Sequence, residues 1–258
     1  MFASIGSSDA NAPQFTEATM PLTEEDKALA RTLIGGAKKT FDNAEALFTE
    51  ATILANSNAW SRALFLHQIS LEECAKIEML AAATTSLLMG HRVDLKPLRR
   101  AFSQHESKNK VNAYFVPKTE DEELAEEAGD FAGALHAFKE LQEAFHRDSN
   151  ADKNASLYVD FSESFTSPLE LVTEETFVKV RKRNEEFMAL TYPKVDMLAR
   201  WAHDLEGAAS KVAGLMGALD FARVERGNPE HFKAFRATLE DKIRELARKR
   251  LEQSRTGD

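Results

Sequence analysis

Between Trp60 and Leu87 the chain is apolar on nearly every side a helix could present. Trp60, Ala63, Leu64, Phe65, Leu66, Ile69, Leu71, Ile77, Met79, Leu80 and Leu87 leave no wide polar stripe. A helix of this kind has to be surrounded, so it belongs at the centre of a bundle. The pattern predicts a helix over residues 59–89, ended by Gly90. Its neighbours are helices too: only 11 Gly and 7 Pro punctuate 258 residues, too few for the turns of a β-sandwich or barrel.

The flanking periods agree. Thr23 reads as an N-cap followed by Glu24, Glu25 and Asp26, which suit the positive end of a helix dipole. Ala30, Ile34, Ala37, Phe41, Ala44, Phe48 and Ala51 then mark one face of a helix over 24–55. A third helix is expected over 95–115, with Pro97 tolerated in its first turn. The acidic run Glu120–Glu123 opens a fourth, with Phe131, Leu135, Phe138 and Phe145 facing inward. Residues 147–173 show no apolar helical period and are read as one long ordered loop, a length that commonly signals function. A fifth helix is expected from Glu174 towards Ala222 and a charged sixth over 230–254. The resulting expectation is an all-α bundle of about six helices. It divides into a tail at 1–22, a domain at 23–226 and a charged C-terminal helix at 227–258.

Charge and cysteine usage narrow the function. A net charge of −9 argues against broad non-specific nucleic-acid binding. One cysteine, Cys74, excludes an internal disulfide and a multi-thiolate zinc site, and suits a reducing cytoplasm. No run of about 18 apolar residues is present, so no membrane span is expected. A carboxylate di-iron bundle needs two Glu-x-x-His pairs. Only Glu143-x-x-His146 fits, and there is neither a Gly-rich phosphate loop nor a nucleophile elbow. No metal or cofactor is expected.

Two stretches could carry chemistry. The first is Ser70–Lys76, which sets Glu72, Glu73 and Lys76 in the middle of the most apolar helix. Charges there must be paired and hydrogen-bonded, and Lys76 is four residues from Glu72 and three from Glu73. Either an internal salt bridge pinning the helix or a polar pocket would satisfy them. The second is residues 91–110, with six Lys or Arg against two acids. It contains Arg100 and His105, an Arg-x4-His spacing that suits metal-free RNA cleavage: arginine steadies phosphate charge and histidine moves protons. On a straight helix the two are offset by about 140°, so they converge only at a bent helix end or across two subunits. His105 and Lys108, three apart, share a face. A solvated basic face is the plainer alternative.

In its order of short blocks the chain resembles the AbiV abortive-infection family, whose domain belongs to the HEPN helical superfamily. The blocks are Ala59-Trp60 to Ala63 leading into Ser70-Leu-Glu-Glu-x-x-Lys76, then His105-x-x-Lys108, then Lys153 to Leu157-Tyr-Val-Asp160, then Thr166-Ser-Pro168. The resemblance spans roughly residues 25–185. It implies a helical defence protein and carries the family's polar signature onto Glu73, Lys76, His105, Lys108, Tyr158 and Asp160. Cys74-Ala75 stands where Leu-Gly is usual. Ala101 follows Arg100 where HEPN ribonucleases carry a polar residue, and this motif lies earlier than theirs. The function implied is antiphage defence by abortive infection, through RNA binding or cleavage or interference with translation. A metal-independent endoribonuclease of HEPN type would do this with Arg100 and His105. The alternative is a non-catalytic helical protein that binds a phage or host protein.

Two structural expectations complete the reading. The apolar face of the fifth helix is longer than a compact domain is wide, which predicts a homodimer. Alternation in Leu157–Phe161 predicts that the apolar side anchors the loop beside the helices of Glu73 and His105, leaving Tyr158 and Asp160 facing Lys108 or Arg100.

Overall fold

Helix α1 (Glu24–Asn56) begins where its sequence says it should. The Thr23 hydroxyl accepts the Asp26 amide at 3.1 Å, and the Thr23 amide donates to the Asp26 carboxylate at 3.3 Å, a reciprocal cap. The chain reverses through Asn58, whose φ of 59° is a left-handed conformation that asparagine tolerates well. Helix α2 (Trp60–Leu88) returns along α1, and Gly90, at φ 79°, ends it. These features come from a computed structural model, which describes residues 21–161 and 163–218. The expected tail at 1–22, apart from its last two residues, and the expected helix at 227–258 lie outside the described residues.

Around α2 stand α3 (Leu95–Ser103), α4 (His105–Asn112) with a 3-10 turn at Ala113–Phe115, α5 (Glu120–Glu127) and α6 (Phe131–Leu157). A hairpin of β1 (Asp160–Phe161) and β2 (Phe165–Thr166) follows, then the single turn α7 (Pro168–Leu171), α8 (Glu174–His203) and α9 (Leu205–Ala218). The fold is an all-α bundle in which α2 packs against α1, α4, α6 and α8, the central place its composition requires. Residues 21–209 form one compact unit; residues 210–218, the distal part of α9, are the described part of a second.

Four expected boundaries move. The third helix breaks at Gln104, which is extended (φ −101°, ψ 119°), so α3 and α4 are separate. The fourth helix breaks at Gly129, in the left-handed region at φ 72°, so α5 and α6 are separate. The fifth breaks at Asp204, whose carboxylate accepts the Gly207 amide at 2.8 Å and caps α9. The loop expected over 147–173 is mostly helix: α6 runs to Leu157, and only residues 158–167 connect it to α7. The cause lies in what α6 buries. Its last turns bury Ser149, Lys153 and Ser156, a helical spacing written in polar residues, which a search for apolar period does not detect.

The core holds α1, α2 and α8 together through both oil and hydrogen bonds. Leu64, Leu71, Phe177, Val180 and Phe187 are buried in one cluster. Ser70 donates to the Ala44 carbonyl at 2.9 Å, and Asn184 stands 3.1 Å from His67 Nδ1, so one polar chain links all three helices. Cys74 is buried in the same layer, and burial first of all pushes its thiol up to about 12, leaving it a protonated packing group.

Candidate active site

The most heavily partnered ionised group of the described residues is Glu72, on α2, whose side chain is 5% exposed. Two other helices converge on it. From α4, the Lys108 ammonium lies 2.6 Å from Oε2 and His105 Nδ1 lies 2.7 Å from both oxygens. From α6, the Lys153 ammonium lies 3.2 Å from Oε1. Both lysines are buried. Burial alone would raise the Glu72 carboxyl; Lys108, Lys153 and His105 more than reverse this and hold it below the ordinary value. The carboxylate is therefore ionised, and it is the counter-charge for two largely buried ammonium groups.

Local sequence explains how the groups arrive. In α4, residues 105, 108, 109 and 112 fall on one helical face, and all four are polar. Asn112 donates to the Leu71 carbonyl at 2.8 Å and Asn109 meets His146 at 3.3 Å, which fixes α4 against α2 and α6. In α6 the spacing 149, 153, 156 turns Lys153 inward between two serines, and Asp152 beside it meets Gln68 at 3.5 Å. The seam between α2, α4 and α6 is thus polar by design of all three faces.

The expected pairing of His105 with Lys108 on one face is what the helix delivers. Nδ1 faces Glu72, which leaves Nε2 as the ring nitrogen open to a substrate, and the side chain is 51% exposed. A carboxylate that fixes one ring nitrogen and leaves the other basic is the arrangement a general base needs.

The other expected residues are placed differently. Glu73 and Lys76 pair with each other rather than with the seam, and the Lys76 ammonium lies 5.8 Å from the centre of the Phe102 ring, tying α2 to α3. Arg100 is exposed in the last turn of α3. The break at Gln104 removes the fixed offset of a straight helix between it and His105. Tyr158 and Asp160 are not brought to the seam: both are exposed on the hairpin, and Asp160 accepts the amide of its neighbour Phe161. The apolar side of that run does not anchor it either, since Val159 and Phe161 are exposed and Phe161 packs on Phe165 across the hairpin. Sequence reading missed Glu72 as the hub and Lys153 as its second lysine. The polar periods of α4 and α6 are the signal that finds both.

Glu143 pairs with Lys110 at 2.6 Å, while His146 meets Asn109 as described. Among the described residues no group of three or more His, Cys, Asp or Glu could hold a metal ion. Among the same residues no helix is long and apolar enough to cross a membrane.

The family model described as AbiV matches residues 32–189, which include Glu72, His105, Lys108 and Lys153. A protein of Sinorhizobium fredii (strain NBRC 101917 / NGR234), named uncharacterized protein y4gJ, is 33% identical over 111 residues. That match covers 43% of this chain and 58% of the relative, so the two share little more than half of the relative's length. No solved structure matches the chain.

Proposed function

The chain belongs to the AbiV family of HEPN-like proteins, and from that premise we propose that it acts in the bacterial cytoplasm in antiphage defence by abortive infection, cleaving RNA without a metal. The observation that carries the chemical part is His105, half exposed, with Nδ1 held by the buried Glu72 carboxylate. In this reading His105 Nε2 takes the proton from a ribose 2′-hydroxyl. The freed oxygen attacks the adjacent phosphorus and the P–O5′ bond breaks; the departing 5′-oxygen takes a proton from water, and His105 returns its own to solvent, leaving a 2′,3′-cyclic phosphate and a 5′-hydroxyl. Arg100, exposed one turn before the break, is the cation offered to the phosphate charge. Glu72, Lys108 and Lys153 are positioning residues: they fix the tautomer and place the ring.

Total RNA incubated with purified protein tests this. The expected result is cyclic-phosphate ends with the wild type and a loss of about a hundredfold or more in rate with His105→Ala. Arg100→Ala is expected to fall similarly, with its unfolding midpoint unchanged because the side chain is exposed, whereas His105→Ala also lowers the midpoint slightly by removing one hydrogen bond from the Glu72 carboxylate. Phage protection by His105→Ala equal to wild type, with RNA intact throughout, would replace this reading by that of a non-catalytic helical protein that binds a phage or host partner.

The same proposal includes a homodimer. Arg100 and His105 are each exposed, and α8 exposes Val178, Leu190 and Tyr192, apolar groups that a second chain would cover. Light scattering at micromolar concentration is expected to give twice the 28.8 kDa of one chain. A strictly monomeric species removes the dimer from the proposal.

A further inference from the structure

The short hairpin between α6 and α7 presents a concentration of apolar surface that the bundle does not use. Tyr158, Val159, Phe161, Phe165 and Leu169 are 60%, 63%, 62%, 74% and 79% exposed. Single exposed apolar side chains are ordinary, but five large ones within twelve residues make a patch. The segment is also held in place rather than loose. Phe161 and Phe165 face each other across the two strands with ring centres 4.7 Å apart. Glu170 accepts the Ser167 amide at 2.6 Å, Pro168 is buried, and Arg62 donates to the Leu157 carbonyl at 3.2 Å at the base. Among the described residues no third strand pairs with β1 or β2; the Phe161 amide of β1 is taken up by Asp160 at 2.8 Å, so β2 carries the open edge.

Charge selects what can cover such a patch. From Asn154 to Val178 the chain carries Asp160, Glu163, Glu170, Glu174 and Glu175, and no lysine or arginine. Arg62, at the hairpin's base, donates to the Leu157 carbonyl and keeps its charge, a single positive charge against five carboxylates in the segment. An acidic rim repels nucleic acid and anionic bilayers. It also opposes a symmetric pairing of two hairpins, which would set carboxylates against carboxylates. We propose that this hairpin is a docking edge for an extended segment of another protein, in which apolar residues alternate with lysine or arginine. Such a segment adds a strand to the free edge, covers Phe161 and Phe165 with one set of side chains, and meets the rim carboxylates with the other. This surface is separate from His105, and its test reads binding, so it stands or falls apart from the RNA reading.

The probe is a short fluorescein-labelled peptide of alternating valine and lysine, followed by anisotropy against the full chain. Saturable binding is expected, weakened by about tenfold or more in the double variant Phe161→Ser/Phe165→Ser and again in Glu163→Lys. Because these side chains are exposed, the variants should keep the wild-type circular dichroism and unfolding midpoint. The same peptide with glutamate in place of lysine, a short single-stranded RNA and phosphatidylserine vesicles are expected not to bind at the hairpin. Absence of saturable binding by the valine–lysine peptide overturns the proposal. So does equal binding by the double variant, which would reduce the effect to attraction by the chain's net charge. Binding of the RNA, the vesicles or a second copy that the double variant abolishes assigns the patch to that partner instead, and likewise overturns it.

Discussion

Glu72→Ala is expected to destabilise the protein by about 3–5 kcal/mol, read as a fall in the free energy of chemical unfolding. The substitution removes one carboxylate but strands two buried ammonium groups, Lys108 and Lys153, whose shared counter-charge it is. Two controls separate this cause from general damage to α2. Glu73→Ala, one residue away, removes a carboxylate whose partner Lys76 is a single, partly exposed ammonium, and is expected to cost about 1 kcal/mol or less. Replacing Glu72, Lys108 and Lys153 together by Leu, Met and Met is expected to recover most of the loss, because an apolar seam needs no counter-ions. Such a protein would be stable and, in the proposed function, inactive, since nothing would hold His105 Nδ1. Equal losses from Glu72→Ala and Glu73→Ala would show that Glu72 is not the hub.

Acidification is expected to remove about 3 kcal/mol of stability between pH 6.5 and 4, through His67. His67 is fully buried between Phe48 and Phe177, and Asn184 donates to its Nδ1. Burial first, and the Arg181 charge second, lower its pKa to about 4 from an ordinary 6.5. The folded protein therefore holds it neutral. The sign follows directly: below pH 6.5 the unfolded chain binds a proton that the folded chain refuses, so stability falls with pH until about 4, where the folded form binds it too. Above 6.5 the contribution is constant. Glu72 acts lower down. Its carboxyl is held below the ordinary 4.5, so its contribution is intact above 4.5 and is lost as pH falls through the folded value. Urea midpoints measured from pH 7 to 4.5 check the first phase. His67→Leu is expected to flatten the profile over that range while lowering stability overall. A wild-type midpoint unchanged from pH 7 to 5 would show that His67 is not the group responsible.

Much of the architecture was legible in the sequence because the feature that decides it is local. The apolar surround of residues 60–87 demands a central helix, Thr23 and Gly90 mark their helix ends through backbone chemistry, and the scarcity of glycine and proline argues against a sandwich or barrel. The family was legible for a related reason, since the order of short blocks such as His105-x-x-Lys108 is read along the chain without knowing what packs around them. Tertiary structure alone decided which carboxylate became the hub. Glu72 and Glu73 are neighbours with identical chemistry, and Lys76 lies within reach of either. The hundred-degree step between them turns one towards α4 and α6 and leaves the other beside α3. Likewise, residues 149–156 look like loop in one dimension because their inward face is polar. They are helix in three because Lys153 there finds a carboxylate from another helix, eighty-one residues earlier in the chain. Apolar period reports burial against oil. A face buried against ions carries the same spacing in different letters, and only the partner across the seam makes it legible.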